Sequence, residues 1–212
     1  ACTVLVMLLV AGARWRHLAV MVLAGTAGVV AAVTGSSYRA HRFLAFLDPW
    51  SDPQGSGFHI IQSLLAMGSG NLYGLGLGMS RQKFMYLPNA HNDFIFSIIG
   101  EEAGFLGTML VLVLFTVFVL TGVKAARRAP DPLGRQLAMG ITFLVGAQAF
   151  VNMGAVTGIL PITGVTLPFI SYGGSSLVIF MALVGILVSV ASRERVAVVK
   201  GSFEGEADAR SD

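Results

Sequence analysis

Apolar residues in this chain fall in long unbroken runs. Four stretches of more than 20 residues lack Lys, Arg, Asp and Glu altogether: His17–Tyr38, Pro53–Ser80, Ala103–Val123 and Gln136–Ser192. A bilayer crossing needs roughly 20 apolar residues. The first and third stretches therefore predict one span each. The last predicts two, divided where Pro161 and Pro168 interrupt it. The second is too rich in Gly, Ser, Asn and Gln for a simple span. Residues 1–13 (ACTVLVMLLVAGA) read as the end of a further span, so the chain is expected to be the C-terminal part of a longer protein. The predicted fold is all-α, a polytopic transmembrane helix bundle. Its spans fall at about 1–13, 17–37, 104–123, 136–157 and 170–191. A large extracytoplasmic loop containing short helices covers about 38–103. The small, acidic residues 201–212 read as a disordered cytoplasmic tail.

Within the loop the pattern changes. GFHIIQSLLAMG places Phe58, Ile60, Ile61, Leu64 and Leu65 on one helical face. At this length it suits an interfacial or re-entrant helix. Asp48-Pro49-Trp50 and Asp52-Pro53 mark turns, with Trp50 suited to the headgroup level. The glycines at 74, 76 and 78 have neither the spacing nor the strand-to-helix context of a dinucleotide site, and they predict a turn with close backbone approach. From Tyr86 to Phe105 the chain reads YLPNAHNDFIFSIIGEEAGF. Pro88 suits a first helical turn, Asn89 or Asn92 a cap, and Phe94–Ile99 an apolar run. Helical spacing then puts Asp93, Ser97, Gly100, Glu101 and Gly104 on one small, polar face. A carboxylate near the bilayer is costly and marks function, so Asp93, Glu101 and Glu102 become candidates. The competing reading is a solvated acidic helix end near the positive pole of the dipole.

Composition agrees. The chain has 212 residues, 55% hydrophobic and 12% charged, with mean hydropathy +0.76. A soluble domain carries about 25% charged residues. Of the 14 Lys and Arg residues, all but Arg39, Arg42, Arg81 and Lys83 lie at Arg14/Arg16, between Lys124 and Arg135, or from Arg193 onward. These three places alternate correctly if all face the cytoplasm. The 38–103 loop then lies outside. The basic residues are scattered between spans and form no nucleic-acid surface. The lone Cys2 excludes an internal disulfide. His17, His41 and His59 show no metal-ligand spacing, and His91 stands alone beside Asp93, so no histidine is assigned as a metal ligand.

Three runs carry a resemblance: FLDPWSDPQGSGFHIIQSLLAMGSG, GLGLGMSRQKFMYLPNAHNDFIFSIIGEEAGF and LPITGVTLPFISYGGSS. They resemble, in order, the motifs of the SEDS family of bacterial cell-wall proteins, which includes the division protein FtsW, the elongation protein RodA and the sporulation protein SpoVE. The PWxDP run and Ser80-Arg81-Gln82-Lys83 look more like FtsW or SpoVE. The resemblance implies a multi-pass protein of the bacterial cytoplasmic membrane with about ten spans. It also implies peptidoglycan glycosyltransferase activity outside that membrane, in division or sporulation. The substrate would be lipid II, and a class B penicillin-binding protein and other division proteins would be partners. The family's essential aspartate maps onto Asp93 in Ala90-His91-Asn92-Asp93-Phe94. The lysine that some relatives carry before the last helix has no counterpart in Pro161-Ile162-Thr163-Gly164.

The implied chemistry constrains roles. A sugar hydroxyl is a weak nucleophile and is helped by a positioned carboxylate base. Diphosphate leaves readily, so one indispensable carboxylate is expected rather than a close pair. On one helix Asp93 and Glu101 would lie roughly 12 Å apart at 1.5 Å per residue, beyond the 5–9.5 Å of glycosidase pairs. Asp93 is therefore assigned as base, with Glu101 and Glu102 ordering the site or helping to bind a divalent cation. Arg81 and Lys83 are candidates to hold the diphosphate, or they snorkel to headgroups. His91 and Asn92 flank the base. Ser171, Tyr172, Gly173, Gly174, Ser175 and Ser176 lie at the start of the last helix. That position suits anions, or close packing by small residues. Two other functions fit a polar cavity facing a lipid headgroup: a lipid II flippase, and a non-catalytic scaffold for a penicillin-binding protein.

Overall fold

The computed structural model describes residues 2–10, 12–35, 46–55, 57–76, 78–79 and 93–208. Those residues form six α-helices: α1 (Cys2–Val10), α2 (Trp15–Thr34), α3 (Phe58–Ser69), α4 (Ile95–Arg128), α5 (Pro132–Val156) and α6 (Gly174–Asp208). A 3₁₀ turn occupies Pro49–Ser51. The architecture is all-helical. Among the described residues three helices are long and apolar enough to cross a membrane: Ile95–Arg128, Pro132–Val156 and Gly174–Arg193. At 9 residues α1 is far shorter than a bilayer. The last helix runs on to Asp208, over residues whose composition reads as tail; Glu204, Glu206 and Ala207 are good helix formers.

α4, α5 and α6 pack together. α4 ends in Arg127 and Arg128, and Asp131 accepts a hydrogen bond from the Gly134 N–H (2.6 Å) to start α5. This tight basic turn marks one end of the bundle. Small residues let the helices close up. A Cβ on Gly122 would overlap Thr142, and one on Gly146 would lie 2.7 Å from a Val119 methyl. Phe94, Phe96, Val111, Phe115, Val145, Met153 and Phe180 form the larger core. The outward faces carry Leu106, Leu110, Leu114 and Leu120, all more than half exposed, as a lipid-facing surface requires. α2 packs chiefly on α1, and its Trp15, Val20 and Leu23 side chains stand exposed.

The loop's short helix forms as expected, and its apolar face is only partly covered. In α3 the covered residues are Ile60, Ile61, Ser63 and Ala66, while Leu64 and Leu65 are 40% and 51% exposed. The helix approaches α4 through its small residues. A Cβ on Gly70 would overlap the Gly100 carbonyl, so no leucine fits that contact. Ser63 completes the seal by donating to the Val156 carbonyl at the end of α5 (2.8 Å).

Candidate functional site

Asp93 does not stand on a helix. It lies in a turn, half-buried, and α4 begins two residues later at Ile95. Ser97, Gly100, Glu101 and Gly104 are all buried. The small, polar face expected to carry Asp93 is thus a packing face without it, closed by α3. Phe94 serves as N-cap with no side-chain bond, and the Ser97 hydroxyl donates to its carbonyl (2.7 Å). Arg81, Lys83, His91 and Asn92, with the Pro88–Asn92 helix start, lie outside the described residues.

Two segments reach Asp93 and a third packs on its neighbour Phe94, all at the end of the bundle opposite the basic turn. α5 reaches it through Asn152, whose amide nitrogen donates to the Asp93 carbonyl (2.8 Å) and the Val165 carbonyl (2.6 Å). The segment between α5 and α6 reaches it at Gly164. A Cβ placed there would sit 3.5 Å from an Asp93 carboxylate oxygen. Gly164 is itself exposed, so the carboxylate lies at an accessible edge rather than in the core. From α3, His59 stacks on Phe94 with ring centroids 5.9 Å apart. One turn before Asn152, Gln148 donates to the Thr166 carbonyl (3.1 Å). Sequence reasoning missed Asn152 and Gln148. Their signal was present: two amides four residues apart, on one face of a membrane span.

Glu101 and Glu102 belong to a different construction. α4 is broken at Gly104, which has φ 65 and ψ −162. The loop after α3 is spliced into this break. The Glu101 and Glu102 carbonyls accept from the Leu75 and Gly76 N–H groups (2.9 and 3.1 Å), and the Phe105 and Leu106 N–H groups donate to the Asn71 and Leu72 carbonyls (2.8 and 3.3 Å). A break in a helix within a membrane leaves such groups without partners unless another segment supplies them. The close approach needs glycine: a Cβ on Gly74 (φ 79) would overlap the Glu102 carbonyl. Glu101 is 2% exposed, so it is no solvated helix end. One Glu102 carboxylate oxygen is buried without a hydrogen-bond partner. Among the described residues no three His, Cys, Asp or Glu side chains gather as metal ligands.

The segment leading into α6 is folded on itself. The Ser171 hydroxyl accepts from the Leu167 N–H (2.7 Å), while the Ser171 N–H donates to the Leu167 carbonyl (3.0 Å). Ser176 donates back to the Gly173 carbonyl (2.9 Å). Tyr172 is 82% exposed, and α6 starts at Gly174, beside the exposed Ser175. Ser171 and Ser176 are therefore engaged in holding the turn, while Tyr172, Gly174 and Ser175 face outward.

Comparison with known proteins places this geometry. A family described as cell cycle protein, named for FtsW, RodA and SpoVE, matches residues 1–196. The stage V sporulation protein E of Bacillus subtilis is 50% identical over 193 residues, covering 91% of this chain and 53% of that protein. A probable peptidoglycan glycosyltransferase FtsW of Geobacter metallireducens is 50% identical over 189 residues, covering 89% of this chain and 50% of its own length. Among solved structures, one described as the structural coordination of polymerization and crosslinking by a peptidoglycan synthase complex superposes with a TM-score of 0.69 at 31% identity, over 91% of this chain and 53% of that one. The chain spans about half the length of the curated relatives it matches.

Proposed function

The chain belongs to the cell cycle protein family of FtsW, RodA and SpoVE, and from that premise we propose that the full-length protein is a peptidoglycan glycosyltransferase that polymerises lipid II. The acceptor's GlcNAc 4-hydroxyl attacks the anomeric carbon of the donor's MurNAc. The bond to undecaprenyl diphosphate breaks as the new glycosidic bond forms, and Asp93 takes the hydroxyl proton. A single displacement inverts the α-linked donor to a β-1,4 product. The names of the relatives, a probable glycosyltransferase and a sporulation protein, support this reading.

The observation that carries it is the placement of Asp93. A half-buried carboxylate stands at one end of a membrane bundle, fixed from behind by α5 and bordered by the exposed Gly164. That is where a base must be to meet a sugar whose lipid tail stays in the bilayer. The exposed Tyr172, Gly174 and Ser175 at the start of α6, with Arg81 and Lys83, are the groups proposed to face the diphosphate. The active end lies outside the cytoplasmic membrane, and a class B penicillin-binding protein is the proposed partner for crosslinking.

The test is full-length protein with its partner, given lipid II in the accessible leaflet, comparing native enzyme with Asp93→Ala. Native protein makes glycan strands and the variant does not. A flippase would make none in either case. A scaffold for another polymerase would support strand synthesis equally well in the native form and in Asp93→Ala.

A further inference from the structure

Asn152 is 2% exposed, in a membrane-spanning helix otherwise almost wholly apolar on that turn. It has two amide hydrogens, and both are spent on main-chain carbonyls of non-helical backbone. One belongs to Asp93 and the other to Val165, next to Gly164. These two residues border the same space, since a Cβ built on Gly164 would reach within 3.5 Å of an Asp93 carboxylate oxygen. One planar amide therefore sets the spacing between the carboxylate and its facing wall. The rest of that amide is less well served: its oxygen is buried and has no hydrogen-bond partner. A buried orphan acceptor costs stability, and local rules are broken in this way chiefly where a site needs a geometry.

We propose that Asn152 is a positioning residue for Asp93, holding the base and the Gly164 wall at a fixed separation through their main chains. It rests on the assignment of Asp93 as base. Asn152 is not catalytic, because its bonds go to backbone and none reaches a reacting atom. Its contribution appears in turnover rather than in capture of the lipid, since a misplaced base slows the proton transfer while leaving the membrane-bound substrate held.

The experiment uses full-length protein with its penicillin-binding partner and lipid II. Asn152→Asp keeps the shape but replaces both donated hydrogens by an acceptor facing two carbonyls. It is expected to lower kcat by about 10–100-fold with KM within about threefold. Asn152→Gln keeps the donors on a longer arm and is expected to recover part of kcat. Hydrogen exchange on the same preparations gives a readout independent of activity. The amides of residues 93–98 and 164–167 should exchange faster in Asn152→Asp, while the middle of α5 stays protected. Unchanged kcat overturns the proposal, as does a fall in kcat with no change in exchange at those two segments. If native protein makes no glycan, the polymerase assignment fails. Exchange then still decides whether Asn152 clamps the two backbones, and unchanged protection overturns that.

Discussion

Asp93 gains its character from lying just ahead of a helix. On α4 it would share the face that carries Ser97 and Glu101, and both are buried. In the preceding turn its carbonyl is held while its carboxylate is left at an accessible edge. A base and a structural carboxylate are then distinguishable by substitution. Asp93→Asn keeps size and polarity but cannot accept the proton, and polymerisation should fall by about 10²–10⁴-fold with folding intact. Glu101→Gln, in the buried face against α3, should instead show its loss in the thermal midpoint of the purified protein, with strand synthesis by the folded fraction largely kept. Polymerisation assays read alongside thermal melts check both. The reverse pattern would move the base to Glu101.

The splice between the α3 loop and α4 is the element that repairs the break in α4. Gly104 (φ 65, ψ −162) adopts a backbone conformation open essentially to glycine alone, and any Cβ there would overlap Leu72 and Gly74 backbone. Gly104→Ala should therefore destabilise by about 3 kcal/mol or more, combining that backbone penalty with forced movement of packed backbone. The expected signs are loss of folded protein in detergent and faster proteolysis within 70–79. Ser63→Ala is milder: it leaves the buried Val156 carbonyl without its donor and should cost about 1–3 kcal/mol by the same melt. These elements were unequally legible. The expected spans near 104–123, 136–157 and 170–191 follow from long apolar runs; α4, α5 and α6 occupy most of these stretches, with α5 ending at Val156 and α6 beginning only at Gly174. Of the glycines at 74, 76 and 78, Gly74 makes the close backbone approach expected, whereas among the described residues a Cβ on Gly76 would meet only the Met79 side chain and one on Gly78 nothing; the partner was not legible, because backbone-to-backbone splicing leaves no side-chain pattern. On α3 hydrophobic periodicity picked out Ile60 and Ile61, which are buried, together with Leu64 and Leu65, which stay exposed; the small contact residues Ser63, Ala66 and Gly70 leave no hydrophobic signal. Asp93 was found by its charge and by resemblance. Asn152 was legible as an amide in a span, yet what it holds depends on two carbonyls far away in the chain.

For the whole molecule the proposal fixes an orientation. Antiparallel α4, α5 and α6 put Asp93 and Tyr172 at one end and the turn from Arg127 to Leu133 at the other. The positive-inside rule assigns the basic residues of that turn to the cytoplasmic side, and the proposal accordingly sets the Asp93 end outside. A substrate whose sugars are displayed on the outer leaflet requires the same. Both arguments are tested by one pair of substitutions in full-length protein lacking Cys2. Tyr172→Cys sits at an 82% exposed position, and Leu133→Cys at a 66% exposed one. A membrane-impermeant maleimide added to intact spheroplasts should label Tyr172→Cys and leave Leu133→Cys untouched until the membrane is permeabilised. The opposite labelling would place Asp93 among cytoplasmic substrates. It would remove the proposed reaction even if every helix here were correctly packed, because a base works only on the side where its sugar is delivered.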